Sequence, residues 1–69
     1  MEMTIIFKSH SDMYRAQVIL NDYDSLSAKL FTPALKYKGS EEQLERYLQI
    51  LERNDIELKA IKSKNKPRQ

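Results

Sequence analysis

The spacing of apolar residues along this chain changes from that of a strand to that of a helix and back again, and this sequence of changes occurs twice. Residues 4–31 fit an apolar strand, an amphipathic helix and a second strand. Residues 34–61 repeat that order, and the pair Ile19-Leu20 recurs as Ile50-Leu51. Apolar positions every three or four residues predict a helix, whereas apolar positions at every second residue predict a strand. The pattern therefore predicts two strand–helix–strand units, joined at Thr32-Pro33.

Local signals place the boundaries of these elements. Strands are predicted over residues 4–8, 27–31, 35–38 and 56–61. Ser9 is the predicted N-cap of the first helix, which runs to about residue 22. Ser40 and Gln43 have the spacing of a capping box, which predicts the start of the second helix. Asn54 is the predicted end of that helix, because asparagine tolerates the left-handed conformation.

Two units of this size predict a ferredoxin-like α+β fold, a βαββαβ two-layer sandwich with a four-stranded antiparallel sheet and two helices on one face. We predict one domain over residues 1–63 and a basic, flexible C-terminal tail over residues 64–69. The leucines expected to share one core are Leu20, Leu30, Leu44, Leu48, Leu51 and Leu58. Folds of this kind host many unrelated activities, so function has to be inferred from side chains.

Alternation along the predicted strands assigns side chains to the two faces of the sheet. The residues expected to face the helices are Ile5, Phe7, Ala28, Leu30, Leu35, Tyr37, Ile56, Leu58 and Ala60. Thr4, Ile6, Phe31 and Ile61 then point to the open face, where the first and last strands are expected to be neighbours. We therefore predict a protein interface formed by Ile6, Phe31 and Ile61. The alternative is that they are ordinary, isolated apolar surface residues.

The composition excludes several kinds of site. The chain has no cysteine, one histidine and one glycine, so it offers no disulfide, no thiol nucleophile, no histidine cluster for a metal and no glycine-rich phosphate loop. Ser9 and His10 could form a hydroxyl–imidazole pair, but no third group is evident to orient the imidazole. We predict no catalytic residues, no cofactor and no metal. No apolar run approaches the roughly 20 residues of a membrane span, and no secretory signal is evident, so a cytoplasmic location is expected.

Charge is distributed unevenly along the sequence. Seven Lys/Arg and ten Asp/Glu precede Lys59, whereas five Lys/Arg and no acid follow from Lys59 onward. This leaves two functional classes open. The first is a non-enzymatic binding module that self-associates, as a homodimer, or binds another protein through the open sheet face. The alternative is a nucleic-acid-binding protein, whose contacts would be Lys36, Lys38, Lys59, Lys62, Lys64, Lys66 and Arg68. Base stacking of the RRM type is not expected, because Tyr37 shares the phase of Leu35.

Three segments carry a resemblance to a known family. They are Phe7-Lys8-Ser9-His10-Ser11-Asp12 leading into Arg15-Ala16, then Thr32-Pro33, then a helix between Glu45 and Ile56 that ends before a strand. In this layout the chain resembles small bacterial selenium/sulfur-carrier-like domains. The chemistry proposed for that family rests on a Cys-Gly step after the Thr-Pro region. Here Ala34-Leu35 stands near that position, so the resemblance implies the scaffold without the carrier function.

Overall fold

The computed structural model describes residues 1–63, which form six elements in the order β-α-β-β-α-β. These are β1 (Glu2–Phe7), α1 (His10–Leu20), β2 (Leu26–Ala28), β3 (Ala34–Lys38), α2 (Glu41–Arg53) and β4 (Leu58–Ser63). The strands form one antiparallel sheet in the order β2-β3-β1-β4. This confirms the predicted ferredoxin-like fold, including β1 and β4 as neighbours. Neither helix within residues 1–63 has the length and apolar character needed to cross a membrane.

Side-chain caps begin both helices at the predicted positions. The backbone N–H of Asp12 donates to the Ser9 hydroxyl oxygen (3.2 Å), and that of Gln43 donates to the Ser40 hydroxyl oxygen (3.2 Å). The first N–H groups of a helix have no partner within it, so each cap satisfies one of them. Glu41 and Glu42 lie in the first turn of α2, where negative charge is favoured by the helix dipole. These local interactions explain why the helix starts could be read from the sequence.

The end of α2 corrects one prediction. Asn54 is the C-cap, as expected, but its φ is −98°, and the left-handed residue is its neighbour Asp55 at φ 59°. The Asn54 side chain donates from Nδ2 to the carbonyl of Ile50 (2.7 Å). The same carbonyl also accepts the backbone N–H of Asn54 (3.2 Å), and the chain reverses one residue later, at Asp55. The left-handed asparagine is Asn21, at the end of α1.

The core lies between the helices and one face of the sheet. Its buried members are Ile5, Phe7, Met13, Ala16, Leu26, Leu35, Tyr37, Leu44, Tyr47, Leu51 and Ile56. Half-buried residues packed against them are Met3, Ile19, Leu20, Leu48, Ile50 and Leu58. Removing apolar surface from water at roughly 25 cal/mol per Å² is the main stabilising contribution in a domain of this size. The prediction that Leu30 belongs to this core is wrong, since its side chain is 81% exposed.

The position of β2 explains the error at Leu30. β2 ends at Ala28, so Leu30 lies in the connection to β3, and Leu26 occupies the buried position opposite Tyr37. Leu26 and Leu30 have the same parity along the chain, and alternation alone does not distinguish them. Ala28 also differs from the prediction: it pairs with Leu35, on the side expected, but remains exposed.

A β-bulge between β1 and β4 reverses the phase of β4. Ile6 pairs with Ala60 while Phe7 pairs with Leu58, so Lys59 is the extra residue. Directly opposed residues of an antiparallel pair share a face. Ala60 therefore lies on the open face with Ile6, and Ile61 lies opposite Ile5 on the helix side. The predicted faces of both Ala60 and Ile61 are wrong, because one inserted residue shifts the alternation of everything that follows it.

Candidate interaction surfaces

The structure places the three predicted interface residues in three different settings. Ile6 is half-buried on the open face, between Ala34 and Ala60 of the neighbouring strands. Ile61 lies on the helix side of β4 and is 38% exposed. Phe31 lies outside the strands, in the connection between β2 and β3. Of the three, only Ile6 is placed on the open face by strand pairing, and Ile61 is not on the face predicted for it.

The most exposed large apolar residues of the described chain are adjacent. Leu30 and Phe31 are 81% and 88% exposed, and we refer to this pair as the β2–β3 tip. Backbone hydrogen bonds close the loop beneath it. The N–H of Lys29 donates to the carbonyl of Ala34 (3.0 Å), and the N–H of Ala34 donates to the carbonyl of Thr32 (2.7 Å). The tip is therefore presented to solvent by a hydrogen-bonded loop.

Pro33 ties this loop to the centre of the sheet. Its carbonyl accepts a hydrogen bond from the N–H of Phe7 (2.7 Å), at the end of β1. Proline has no N–H to donate to a strand ladder. The pairing of β1 with the chain before β3 therefore continues beyond Ala34 through the Pro33 carbonyl. Phe7 is fully buried in the core. The bond ties the base of the β2–β3 tip to a residue of the buried core.

A second exposed apolar surface lies on α1. Tyr14 and Val18 are four residues apart and 56% and 68% exposed, so they are neighbours on the helix surface. Together with Arg15 and Ile19 they line a shallow groove of about 340 Å³. The ring of His10 lies at a centroid distance of 6.5 Å from that of Tyr14. His10 thus borders an apolar helix surface, and the Ser9 hydroxyl beside it serves as the N-cap.

The open face of the sheet carries lysines. Pairing places Lys36 of β3 and Lys62 of β4 on either side of Thr4, and Lys38 opposite Glu2. All three lysines are exposed. A shallow cavity of about 260 Å³ crosses this face, with a lining that includes Ser27, Thr4, Lys36, Lys38, Glu2 and Asp24. Of the other predicted nucleic-acid contacts, Lys59 is the bulge residue, and Lys64, Lys66 and Arg68 lie outside the described residues.

A polar network that the sequence did not reveal joins α2 to the loop after α1. The Tyr47 hydroxyl donates to the carboxylate of Asp22. Gln43 donates from Nε2 to the Tyr47 hydroxyl oxygen (2.6 Å) and to Asp22 Oδ2 (3.3 Å). Tyr37 lies edge-on to Tyr47, with centroids 5.8 Å apart, and its own hydroxyl donates to the carbonyl of Ser40 (2.7 Å). The buried end of each phenol therefore has a polar partner, as burial requires.

The pKa values in this network shift in opposite directions. Burial and the bond to Asp22 raise the pKa of Tyr47 to about 12. Hydrogen bonds from the Tyr47 hydroxyl and the Ser25 backbone lower the pKa of Asp22 below its ordinary value. Both shifts move away from neutral pH, whereas a general acid or base works best with a pKa near the working pH. The arrangement fits a structural brace between α2 and the loop that follows α1.

Metal-binding geometry is not found in the part of the chain that the structure describes. Within residues 1–63, no three or more His, Asp or Glu side chains are grouped so that they could hold a metal ion. The acids of α2 are exposed. Glu57, which lies between α2 and β4, forms an ion pair with Lys8 and so joins the end of β1 to the segment before β4. Because both side chains are largely exposed, solvent screens this pair.

No protein-family model, curated protein or solved structure matches this chain. The resemblance to selenium/sulfur-carrier-like domains stays a prediction. The surfaces described above are the observations on which a functional proposal can rest.

Proposed function

We propose that this protein is a non-enzymatic binding module that acts by protein–protein contact. The β2–β3 tip is its contact surface, and a second copy of the chain is its partner. The observation that carries the proposal is the exposure of Leu30 and Phe31, which are adjacent and 81% and 88% exposed on a hydrogen-bonded loop. Large apolar side chains exposed together mark interaction sites more often than single ones do.

The sequence around the tip suits contact between identical surfaces. In a two-fold dimer the same patch meets itself, so a charge within a small patch would lie near the same charge of the other copy. Residues 30–33 are Leu, Phe, Thr and Pro, and none of them is charged. Lys29, the nearest charged residue in the sequence, is exposed beside β2, where it would lie at the rim. Two tips can therefore approach each other without repulsion between like charges.

The strand beside the tip favours contact through side chains over strand pairing. β2 is an edge strand of the sheet and contains three residues, Leu26–Ala28. An edge strand this short offers few backbone groups for pairing with another sheet. The two apolar side chains at its end offer more contact area than the strand itself. We therefore expect the dimer to depend on Leu30 and Phe31.

The small size of the tip predicts a weak dimer. If two tips together bury about 400 Å² of apolar surface, the gain is about 10 kcal/mol at roughly 25 cal/mol per Å². Association costs about 4–15 kcal/mol in lost freedom of motion. With a cost of about 4–6 kcal/mol, at the low end of that range, the balance is about −6 to −4 kcal/mol, which corresponds to dissociation constants between roughly 40 µM and 1 mM.

Sedimentation equilibrium across that concentration range tests the proposal. The wild type should show a reversible monomer–dimer equilibrium, and Leu30→Ser with Phe31→Ser should shift it to monomer. Val18→Ser is the matched control, because it removes an exposed apolar side chain from α1 and should leave the equilibrium unchanged. A wild-type protein that stays monomeric up to about 1 mM contradicts the proposal. Loss of the dimer in Val18→Ser alone would place the contact on α1 instead.

A further inference from the structure

We propose that the open face of the sheet is a docking surface for the phosphate backbone of duplex nucleic acid. Lys36, Lys38 and Lys62 are the residues that carry it, and recognition through them does not depend on base sequence. This surface is separate from the β2–β3 tip, so the inference stands independently of self-association.

Strand register brings the three lysines together. Lys36 and Lys62 pair with the same residue, Thr4, from opposite sides. Adjacent strands lie about 4.8 Å apart, so the two Cα atoms are separated by roughly 10 Å. Lys38 follows Lys36 by two residues on β3, at about 7 Å along the strand. Three flexible ammonium groups therefore share one side of the sheet within the reach of neighbouring phosphates.

The β-bulge at Lys59 is what adds Lys62 to this face. In an unbroken ladder beginning at the Phe7–Leu58 pair, the even-numbered residues of β4 would face the helices. The extra residue reverses that phase, so Ala60 and Lys62 lie on the open side with Ile6 and Thr4. Bulges commonly re-aim side chains next to functional sites. Here the bulge converts a pair of lysines on β3 into a cluster that spans three strands.

Acidic residues are concentrated elsewhere. Glu41, Glu42, Glu45 and Glu52 all belong to α2, which lies on the opposite side of the sheet. On the open face, Glu2 is opposite Lys38, and Asp24 borders the shallow cavity. The three lysines therefore outnumber the acids of this face. This charge separation favours a polyanion on the open face.

The side chains of this face select the class of nucleic acid. Among the residues that the structure describes there, none is aromatic; they are Glu2, Thr4, Ile6, Ser27, Ala34, Lys36, Lys38, Ala60 and Lys62. Tyr37 is buried on the helix side, as predicted. Proteins that bind single strands stack exposed bases on aromatic rings. A face of lysines without such rings suits phosphates of a duplex, in which the bases remain stacked on one another.

The salt dependence of binding can be estimated from the number of lysines. Each phosphate neutralised releases counterions, and the slope of log K against log salt is about −0.9 per contact. Three contacts predict a contribution of about −2.7, which is roughly a 40-fold loss of affinity between 50 and 200 mM salt. The basic residues after Ser63 would steepen the slope of the full chain further.

Fluorescence anisotropy with the full chain and a random-sequence DNA duplex of about 25 base pairs tests the proposal. In the triple variant Lys36→Gln, Lys38→Gln, Lys62→Gln, the slope of log K against log salt should become less negative by about 2.7. The matched control is Lys29→Gln, Arg46→Gln, Arg53→Gln, which removes the same charge from exposed positions in the β2–β3 connection and on α2. The control should bind with the slope of the wild type. Replacing the three face lysines with arginine should restore binding, and a thermal melt checks that each variant is folded.

Four results would overturn the proposal. The first is no duplex binding by the wild type at 50 mM salt. The second is an equal loss of duplex affinity in the lysine triple variant and in the control triple variant, which would mean that net charge alone governs binding. The third is a lysine triple variant that binds the duplex as the wild type does, together with a loss of duplex binding when residues 64–69 are deleted. That result would assign binding to the tail. The fourth is equal affinity for poly-glutamate, which would indicate an acidic protein partner.

Discussion

A Cβ atom added to Gly39 would lie 2.7 Å from Cζ of Tyr37, and closer still to the hydroxyl oxygen. Real Cβ atoms essentially never approach other atoms within 3.0 Å. The Tyr37 ring is 1% exposed, and its hydroxyl donates to the carbonyl of Ser40 (2.7 Å), so it has little room to move aside. Gly39 does not have a positive φ. Glycine is therefore needed at this position for space.

We predict that Gly39→Ala lowers the free energy of unfolding by about 1–3 kcal/mol, the usual cost of overpacking. Denaturant titration measures it, with the slope m expected to stay unchanged. A double-mutant cycle with Tyr37→Phe supplies the control, because phenylalanine lacks the oxygen nearest to the added methyl group. The alanine should cost less in the phenylalanine background. Equal costs in both backgrounds would show that the methyl group is accommodated in some other way.

Leu51 and Leu30 test the revised core. Leu51 is 1% exposed and Leu30 is 81% exposed, although the sequence pattern assigns both to the core. We predict that Leu51→Ala costs about 2–5 kcal/mol, whereas Leu30→Ala changes stability by no more than about 0.5 kcal/mol. Both are measured by chemical denaturation of the monomer at low concentration. A large loss in Leu30→Ala would contradict the exposed position of the β2–β3 tip.

The parts of the fold that the sequence predicts well are those fixed by nearby residues. Ser9 and Ser40 cap their helices through bonds to residues three positions away, and such pairs are visible in the sequence. The helix-facing side of β3 was also predictable, because Leu35 and Tyr37 alternate with lysines. Four strands and two helices in this order then leave few compact arrangements of the sheet.

The remaining features depend on contacts between distant residues. The bulge at Lys59 depends on how β4 pairs with β1, about fifty positions earlier in the chain. The alternation of apolar and polar residues within β4 does not indicate it. The second feature is the end of β2 at Ala28, three residues earlier than alternation predicts. These two features affect the candidate sites, since the first puts Ile61 on the helix side of β4 and the second leaves Leu30 and Phe31 outside the strands. For that reason the order of the elements was predictable, whereas the face of Ile61 and the exposure of Leu30 were not.

The hydrogen bond from Tyr47 to Asp22 predicts a loss of stability at both ends of the pH range. The pKa of Asp22 is lowered from its ordinary value of 3.8, first by the Tyr47 hydroxyl and then by the Ser25 N–H. Its stabilising contribution is therefore present above pH 3.8 and is lost as the pH falls through the lowered pKa. The pKa of Tyr47 is raised from 10.0 to about 12. The neutral phenol is favoured by folding, so that contribution is lost as the pH rises from 10 to about 12.

Unfolding free energies measured between pH 2 and 12 in Tyr47→Phe and Asp22→Asn should separate these contributions. Tyr47→Phe should remove the loss between pH 10 and 12 and return the pKa of Asp22 toward its ordinary value, which NMR titration of the carboxyl carbon follows directly. Asp22→Asn should reduce the acid loss. Glu57→Gln is the acid control, because the pKa of Glu57 is also lowered, by its ion pair with Lys8; it should remove a separate part of the acid loss. An Asp22 pKa that is the same in wild type and Tyr47→Phe would contradict the assignment of this bond, since the phenol is the largest cause of the shift.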